Sequence, residues 1–260
     1  METLHLKPGQ RIYFASDFHL GIPDYESSLQ REKMLVRWLD LVKGDAGAIF
    51  LMGDVFDFWF EYRTVIPKGY TRLLGKLAQI TDSGIPVHLF IGNHDVWAFE
   101  YLAREIGIKL HRHPEIWQIA GLTFYLAHGD GLGPGDNGYK FLKKVFRNRF
   151  NQFLFRWLHP DIGAKMGLYF SRKSRLANMI KENKPEHLNR IEDEMLYQYA
   201  SEMIKNGQTV DYFIFGHRHR PLNIELADRS RLVILGDWLT HFTFAEFDGK
   251  YLELKHFNKT

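Results

Sequence analysis

Five strand-like runs in this 260-residue chain are each followed at once by His, Asp or Asn. The runs are short and rich in β-branched and aromatic residues, which is typical of buried strands. The polar residues after successive runs are Asp17 with His19, Asp54 with Asp57, Asn93 with His94 and Asp95, His128 with Asp130, and His217 with His219. Polar groups placed at strand ends indicate a site at the carboxyl edge of a sheet, where open α/β sheets bind ligands.

The strand-like runs alternate with helical patterns through the first half of the chain. The spacing predicts strands at 11–16, 47–52, 86–91 and 122–127, and helices at 28–43 and 70–83. Such alternation favours an α/β fold with mainly parallel strands and helices on both faces. After Asp211 four further runs follow one another without helices, and residues 131–209 are helical in pattern. We therefore expect one domain, 1–260, with a helical lid insertion at about 131–209.

Composition limits the chemistry that the chain can perform. There is no cysteine, which excludes disulfides, thiolate catalysis and Cys-ligated zinc. Any metal must therefore be held by His, Asp, Glu or Asn. The first residues lack the basic and then apolar pattern of a secretory signal, and no apolar run approaches the roughly 18 to 20 residues of a spanning helix. The expected membrane contact, if any, is peripheral.

The spacing within the strand-end pairs suits metal ligation. In an extended segment, residues two apart point the same way, so Asp17 and His19 can present two ligand atoms to one place. Glycines next to the pairs, such as Gly53 and Gly92, allow the turns to approach an ion closely. A single pair is as easily explained by a solvated turn. All five in order, each at a strand end, predict a metal site.

As a set, these motifs resemble the calcineurin-like metallophosphoesterases. The matching segments, which extend from about residue 12 to the C-terminal strands, are Asp17-Phe-His19, Gly53-Asp54-Val-Phe-Asp57, Gly92-Asn93-His94-Asp95, His128 and Gly216-His217-Arg-His219. The resemblance implies a four-layered α/β/β/α sandwich with a helical lid insertion. It also implies two divalent metal ions, with Mn²⁺ expected first and Fe, Co or Zn as alternatives, because the ligands are oxygen and imidazole.

The resemblance further implies a role for each strand-end residue. One metal is expected on Asp17, His19, Asp54 and His219, and the other on Asp54, Asn93, His128 and His217. Asp54 would bridge the two ions, which activate a water for attack on phosphorus. His94 would act on the phosphate as a catalytic residue and Asp95 would orient it. Asp57 would support the ligands from outside.

A narrower resemblance concerns the substrate. The segments "GDVFDFWF", "AHGDGLGPGD", "GHRHRP" and "LGDW" look like those of the UDP-2,3-diacylglucosamine hydrolases of lipid A synthesis. The resemblance implies hydrolysis at the α phosphorus of an acylated UDP-sugar, which releases UMP and the lipid 1-phosphate. Phe58 and Trp59 stand where protein phosphatases have Arg and Gly, which disfavours a protein substrate. His94 replaces an Arg of some relatives and Asp237 a small residue.

The lid has its own composition. Residues 131–190 hold 13 Lys and Arg against 4 Asp and Glu, interleaved with Phe141, Phe146, Phe150, Phe153, Phe155 and Trp157. These spacings give a helix one apolar and one cationic face. A helix of this kind can cover acyl chains and bind anionic headgroups, although each aromatic alone is more simply explained by packing of the lid on the body. By resemblance, the substrate contacts expected in the lid are Asp136, Tyr139, Arg172, Ser174, Arg175 and Asn178.

These patterns predict a cytoplasmic protein bound peripherally to the inner face of the inner membrane. Nucleic acid is disfavoured as a partner because it does not explain so much apolar surface in one insertion, and no protein partner is predicted. Two alternatives remain. One is another metal-dependent phosphodiesterase, a nuclease or nucleotide hydrolase. The other is a non-catalytic scaffold, which the retention of every expected ligand and of His94 argues against.

Overall fold

The structure, a computed structural model, describes residues 1–134, 137–182 and 191–258, with their side chains except at 137 and 174–182. The strands are β1 (Glu2–Leu4), β2 (Arg11–Ala15), β3 (Ala46–Leu51), β4 (Val87–Phe90), β5 (Lys109–His111), β6 (Glu115–Ile119), β7 (Leu122–Leu126), β8 (Tyr212–Phe215), β9 (Leu222–Glu225), β10 (Arg231–Ile234), β11 (Thr243–Phe247) and β12 (Leu252–His256). The helices are α1 (Tyr25–Val42), α2 (Thr71–Asp82), α3 (Tyr101–Arg104), α4 (Asn137–Arg147), α5 (Arg149–Arg156), α6 (Pro160–Glu182) and α7 (Met195–Lys205), with a 3₁₀ turn at Ile191–Asp193.

The described strands form two six-stranded sheets. One has the order β12-β11-β2-β3-β4-β5, in which β2 to β5 are parallel and β11 runs antiparallel to both of its neighbours. The other has the order β1-β6-β7-β8-β10-β9 and mixes parallel and antiparallel pairs. Within each sheet, the strands that precede the expected ligands are parallel neighbours, so their carboxyl ends lie together.

Three apolar layers hold the sheets and helices together. Between the sheets lie fully buried side chains such as Phe14, Phe50 and Phe124. Leu35 and Trp38 lie with the first sheet's outward-facing residues in a second buried cluster, which the helical spacing of α1 predicts. On the outer face of the other sheet, a third cluster includes residues of α7. The order helix, sheet, sheet, helix confirms the predicted four-layered sandwich.

Local signals set the ends of α1. Asp24 precedes the helix and its side chain accepts a hydrogen bond from the backbone N–H of Ser27 at 2.8 Å, which satisfies an otherwise unpaired donor. The predicted strands and helices of the first half agree with the structure to within a few residues. The strands β1, β5, β6 and β12 were not predicted from the sequence.

Helices α4 to α6, which we call the helical segment, lie between β7 and β8 in the chain and have one face on the body. Trp97 contacts both Phe146 and Phe155, with ring centroids 5.2 and 4.7 Å apart. On α6 a Cβ at Gly163 or Gly167 would lie 2.1 Å from a side-chain atom of Tyr62 or Phe58, so only glycine permits this approach. The helical segment is therefore closely packed on the body.

The other face of the helical segment is apolar and exposed. Its exposed apolar side chains are Phe141, Leu142, Phe150, Phe153, Leu154, Trp157, Ile162, Met166, Tyr169 and Phe170. Packing on the body thus explains Phe146 and Phe155 but not the other four aromatic residues that the sequence singled out. Within the described parts of the chain, no helix combines the length and hydropathy that crossing a membrane requires. Helix α7, although inside the expected lid, packs on a sheet of the body.

Candidate metal centre

The strand ends are brought together by an unusual backbone. Several of the expected ligands have positive φ, with values of 56° at Asp17, 45° at His19, 53° at Asp54, 67° at His217 and 53° at His219. Left-handed backbone at residues other than glycine costs roughly 1–3 kcal/mol each, and such strain concentrates at functional sites. The surrounding hydrogen bonds compensate, since the amides of Asp17 and His19 donate to the carbonyls of Gly53 and Asp54 at 3.0 and 2.9 Å.

Asp17, His19 and His219 form one cluster of ligand atoms. Nε2 of His19 lies 3.1 Å from Nε2 of His219, and Oδ1 of Asp17 lies 3.6 and 3.4 Å from these two nitrogens. Both Asp17 and His19 are fully buried. Among the residues that the structure describes, Oδ1 of Asp17 has no hydrogen-bond partner. A buried carboxylate oxygen without a partner is costly unless a cation faces it.

Asp54 connects this cluster to a second one, made with His128 and His217. Oδ2 of Asp54 lies 3.3 Å from Nε2 of His128 and 3.9 Å from Nε2 of His19. Asn93 joins the second cluster through Oδ1, which lies 3.2 Å from Nε2 of His128. The structure thus brings all seven predicted ligands to one place, with the Asp54 carboxylate between the two clusters.

Close backbone packing fixes the position of Asp54. A Cβ at Gly92 would lie 2.2 Å from Oδ1 of Asp54, and one at Gly53 would lie 2.4 Å from Nδ1 of His128. Neither position tolerates any residue larger than glycine without displacing an expected ligand. The glycines that the sequence places beside the polar residues are therefore there for close approach.

The charges in the site are strongly coupled. Burial alone would raise the pKa of Asp54, but the imidazoles of His128 and His94 hold it well below its usual range. Burial opposes charge on His128, yet the Asp54 carboxylate raises the pKa of His128 well above its ordinary value. Burial and the charge of His128 lower the pKa of His217 to about 4. The site therefore contains a carboxylate that demands a positive charge beside it.

These observations fit divalent metal ions. Carboxylate, amide and imidazole atoms are donors that first-row divalent cations accept. Three groups of ligand atoms, each within 4.8 Å of one another, can hold an ion: Asp17 with His19 and His219, His19 with Asp54 and His94, and Asp54 with His128 and His217. A divalent cation held here would supply positive charge beside the Asp54 carboxylate, with the His128 imidazole as a neutral ligand.

His94 lies at the edge of the clusters and is partly exposed. Its Nδ1 lies 2.9 Å from the carbonyl oxygen of Asp57, and its Nε2 lies 3.9 Å from Oδ2 of Asp54. The expected orienting contact from Asp95 takes a different form. The Asp95 carboxylate accepts hydrogen bonds from the amides of Gly92 and Val55, at 2.7 and 2.9 Å. Asp95 thus holds the turn that carries His94, and Asp57 contacts the ring.

The predicted lid contacts are only partly within the described residues. The Tyr139 hydroxyl donates to Asp130, and its ring lies 6.3 Å from that of His217, which brings Tyr139 to the centre. Arg172 is exposed and donates to the carbonyl of Pro23 at 3.4 Å, on the same side of the body as α1. Asp136 and the side chains of Ser174, Arg175 and Asn178 lie outside the described residues, so these expectations stay predictions.

Two buried residues around the centre were not recognised from the sequence as part of it. Ser171, on α6, donates to Oδ2 of Asp57 at 2.6 Å, which links the helical segment to the residue beside His19. Asp237, after β10, lies 3.3 Å from Nδ1 of His219. The signal for Asp237 was present, since it follows a strand as the other site residues do. No local signal distinguishes Ser171 from other helical serines.

Comparison with known proteins agrees with this geometry. The family model described as calcineurin-like phosphoesterase matches residues 10–221. The chain belongs to the calcineurin-like phosphoesterase family and is by class a metal-dependent hydrolase. The predicted resemblance is confirmed.

More particular similarity is to curated proteins named UDP-2,3-diacylglucosamine hydrolase. That of Porphyromonas gingivalis is 39% identical, over 94% of this chain and 97% of its own. Those of Pseudomonas fluorescens and Edwardsiella ictaluri are each 27% identical, over 87% and 93% of this chain and 88% and 90% of theirs. Among solved structures, the phosphoesterase Yfce of E. coli is 13% identical, over 96% of this chain and 94% of its own, with a TM-score of 0.46.

Proposed function

We propose that this chain hydrolyses the pyrophosphate of UDP-2,3-diacylglucosamine to UMP and 2,3-diacylglucosamine 1-phosphate, a step of lipid A biosynthesis. The observation that carries the proposal is the 39% identity, over almost the whole of both chains, to a protein named for this substrate. The geometry supports it, because a cluster of metal-ligand atoms lies beside a helical segment with an exposed apolar face.

The proposed centre holds two divalent cations, with Mn²⁺ as the first candidate. Asp17, His19 and His219 would hold one, Asn93, His128 and His217 the other, and Asp54 both. Bound ions of this kind acidify water and offset charge on a phosphoryl group. The chain's own contribution is to fix the ligand atoms on a strained backbone before the substrate arrives, so that little reorganisation is needed during the reaction.

His94 is proposed to contact the phosphoryl group directly. Because the Asp57 carbonyl accepts from Nδ1, the nitrogen that faces the clusters is Nε2. A protonated Nε2 would donate a hydrogen bond to a phosphoryl oxygen or a proton to the departing group. Asp95 keeps the turn in place through the two backbone amides. Tyr139, Arg172, Asp136, Ser174, Arg175 and Asn178 remain the proposed sugar and phosphate contacts.

The lid insertion at about 131–209 is proposed to lie within a single domain, with the helical segment as the part that receives the acyl chains. The helical segment also carries exposed cations, namely Lys144, Arg149, Arg156, Lys165, Arg172 and Lys173. An apolar surface flanked by cations suits the interface of an anionic membrane, where acyl chains are buried and headgroups pair with Lys and Arg. We therefore propose that the protein binds peripherally to the inner face of the inner membrane.

A substrate panel tests the proposal. Purified protein with Mn²⁺ is assayed in detergent on UDP-2,3-diacylglucosamine and, in parallel, on UDP-glucose, a cyclic nucleotide, single-stranded DNA and a generic phosphodiester. We expect UMP and the lipid 1-phosphate to form from the acylated substrate alone. Cleavage of DNA or the generic diester, with no hydrolysis of the lipid, would show that the protein is a phosphodiesterase of another specificity. No hydrolysis of any substrate with Mn²⁺, Fe²⁺, Co²⁺ or Zn²⁺ would contradict the catalytic assignment.

A further inference from the structure

The imidazoles of His19 and His219 face each other and are supported in the same way from behind. Their Nε2 atoms lie 3.1 Å apart, and their rings are stacked with centroids at 4.8 Å. Nδ1 of His19 lies 3.3 Å from Oδ1 of Asp57, and Nδ1 of His219 lies 3.3 Å from Oδ2 of Asp237. Each ring therefore has a buried carboxylate on the side away from the proposed ion.

The two oxygens of the Asp237 carboxylate have separate partners. Oδ1 accepts hydrogen bonds from the backbone amides of Leu239, Thr240 and His241, at 3.2, 2.8 and 3.0 Å. These bonds fix the turn after β10. Oδ2 is the oxygen that faces His219. The turn is also tied to the centre by its backbone, because the amide of Trp238 donates to the carbonyl of Asp17 at 3.1 Å.

A carboxylate facing Nδ1 determines which tautomer the ring adopts. An ionised carboxylate only accepts hydrogen bonds, so Nδ1 of His219 must carry the proton and donate. With the proton held on Nδ1, Nε2 can offer its lone pair to an ion bound between His219, Asp17 and His19, which is the form that a metal requires. We propose that Asp237 is a positioning residue that fixes the tautomer and orientation of His219 and so completes the metal subsite of Asp17, His19 and His219.

The exposure of the ring explains why His219 needs this support. The side chain of His219 is 32% exposed, whereas that of His19 is fully buried. His19 is held by burial as well as by the Asp57 carboxylate, but a ring open to solvent on one side can rotate or change tautomer unless a specific contact prevents it. Groups that hold metal-ligating histidines from behind typically affect metal affinity by about 10- to 100-fold.

Asp237→Asn tests this inference, which rests on the metal centre of the proposed function. The amide oxygen of Asn can still accept the three backbone N–H groups, but an amide NH₂ turned toward His219 would oppose the Nδ1 proton. Titration of the metal-free full chain with Mn²⁺ by calorimetry should show two sites in the wild type. In the variant, we expect one of them to weaken by about 10- to 100-fold while the other is unchanged.

The tautomer itself provides a readout that a general loss of structure would not imitate. Long-range ¹H–¹⁵N correlation spectra of the metal-free protein should assign Nδ1–H to His219 in the wild type and a mixed or Nε2–H form in the variant. If Asp237→Asn fails to fold, Asp237→Ser replaces it, since serine keeps an oxygen near the turn amides and is too short to reach His219.

Asp248→Asn is the matched control. Asp248 accepts the amides of Lys250 and Tyr251 in a similar turn, at 2.8 Å each, and lies away from the predicted ligands in sequence. It should leave both Mn²⁺ affinities unchanged. Equal affinities and the same His219 tautomer in wild type and Asp237→Asn would overturn the inference about Asp237. Absence of Mn²⁺ binding in the wild type would instead overturn the proposed centre.

Discussion

The strand-end centre and the helical segment are held in place by different means. Around the centre, backbone hydrogen bonds, left-handed residues and close-packed glycines hold the turns that carry the ligands, and side chains such as Asp17 and His19 have no exposed surface. The helical segment is held on one face only, by aromatic packing on Trp97, by close approach to Tyr62 and Phe58 and by the Ser171 hydrogen bond to Asp57. Its opposite face exposes residues such as Trp157 at 78%.

This difference indicates that the centre determines the reaction and the helical segment determines which substrates are bound. A preorganised cluster of ligand atoms can act on any phosphoester that reaches it. An exposed apolar face with cations around it binds only substrates or surfaces that carry acyl chains. Changes at the centre should therefore reduce hydrolysis of every substrate. Changes on the exposed face should reduce only the reactions that depend on lipid.

Asp54→Asn should give the largest effect. The amide oxygen can still accept the amide of His94, which donates to Oδ1 at 2.9 Å, so the turn should persist. The variant loses the negative charge shared by the two clusters, and several kcal/mol of charge stabilisation corresponds to a loss in kcat of on the order of 10³-fold or more. The check is kcat on the acylated substrate and on any diester cleaved. Retention of activity within tenfold would show that hydrolysis does not depend on the negative charge of Asp54.

His94→Ala should have the next largest effect and should show whether His94 is a metal ligand. Because His94 is proposed to act on the phosphoryl group and not to build the metal site, kcat should fall by about 10²-fold while Mn²⁺ binding stays close to wild type. Calorimetric titration with Mn²⁺ measures the second quantity. A loss of one metal site would instead assign His94 to the ligands, which its position 3.9 Å from Oδ2 of Asp54 also allows.

The sequence predicted which residues lie together at the centre, because the strand-end pattern is local. Each pair lies within a few residues of its strand, and parallel neighbouring strands bring their carboxyl ends together whatever the details of packing. The four-layered fold was predicted by resemblance to a family that shares the whole set of motifs. What the sequence did not show depends on contacts distant in the chain. Ser171 and Asp57 are 114 residues apart, and no spacing rule connects them.

The helical segment was predicted less completely for a related reason. Aromatic residues at helical spacing predict an apolar face, but spacing does not say which residues face the body. Phe146 and Phe155 pack on it, whereas Phe150 and Phe153 are 66% and 53% exposed. The choice between the two faces is made by tertiary contacts such as the Trp97 indole, which donates to the Phe146 carbonyl at 2.9 Å.

A Phe153→Ser, Trp157→Ser double variant tests the exposed face. These rings lie 6.1 Å apart on the outer side and do not support the packing on Trp97. Removing them should weaken binding to anionic phospholipid vesicles by about 10-fold, the equivalent of roughly 1.4 kcal/mol. KM for the acylated substrate should rise while kcat changes little. Tyr251→Ser, which removes an exposed aromatic of the body, is the control. Unchanged sedimentation with vesicles would show that this face does not bind membranes.

The smallest effect is expected where the two regions meet. Ser171→Ala removes the hydrogen bond to Oδ2 of Asp57, which costs about 1.5–3 kcal/mol for a bond to a charged group. Because the other Asp57 oxygen still faces His19, kcat should fall only a few-fold. Thr81→Val, which removes the hydrogen bond from Oγ1 to the Ile106 carbonyl in the body, should lower the melting temperature without changing kcat. If both variants lower kcat equally, loss of stability explains the effect, and the helical segment and the centre act independently.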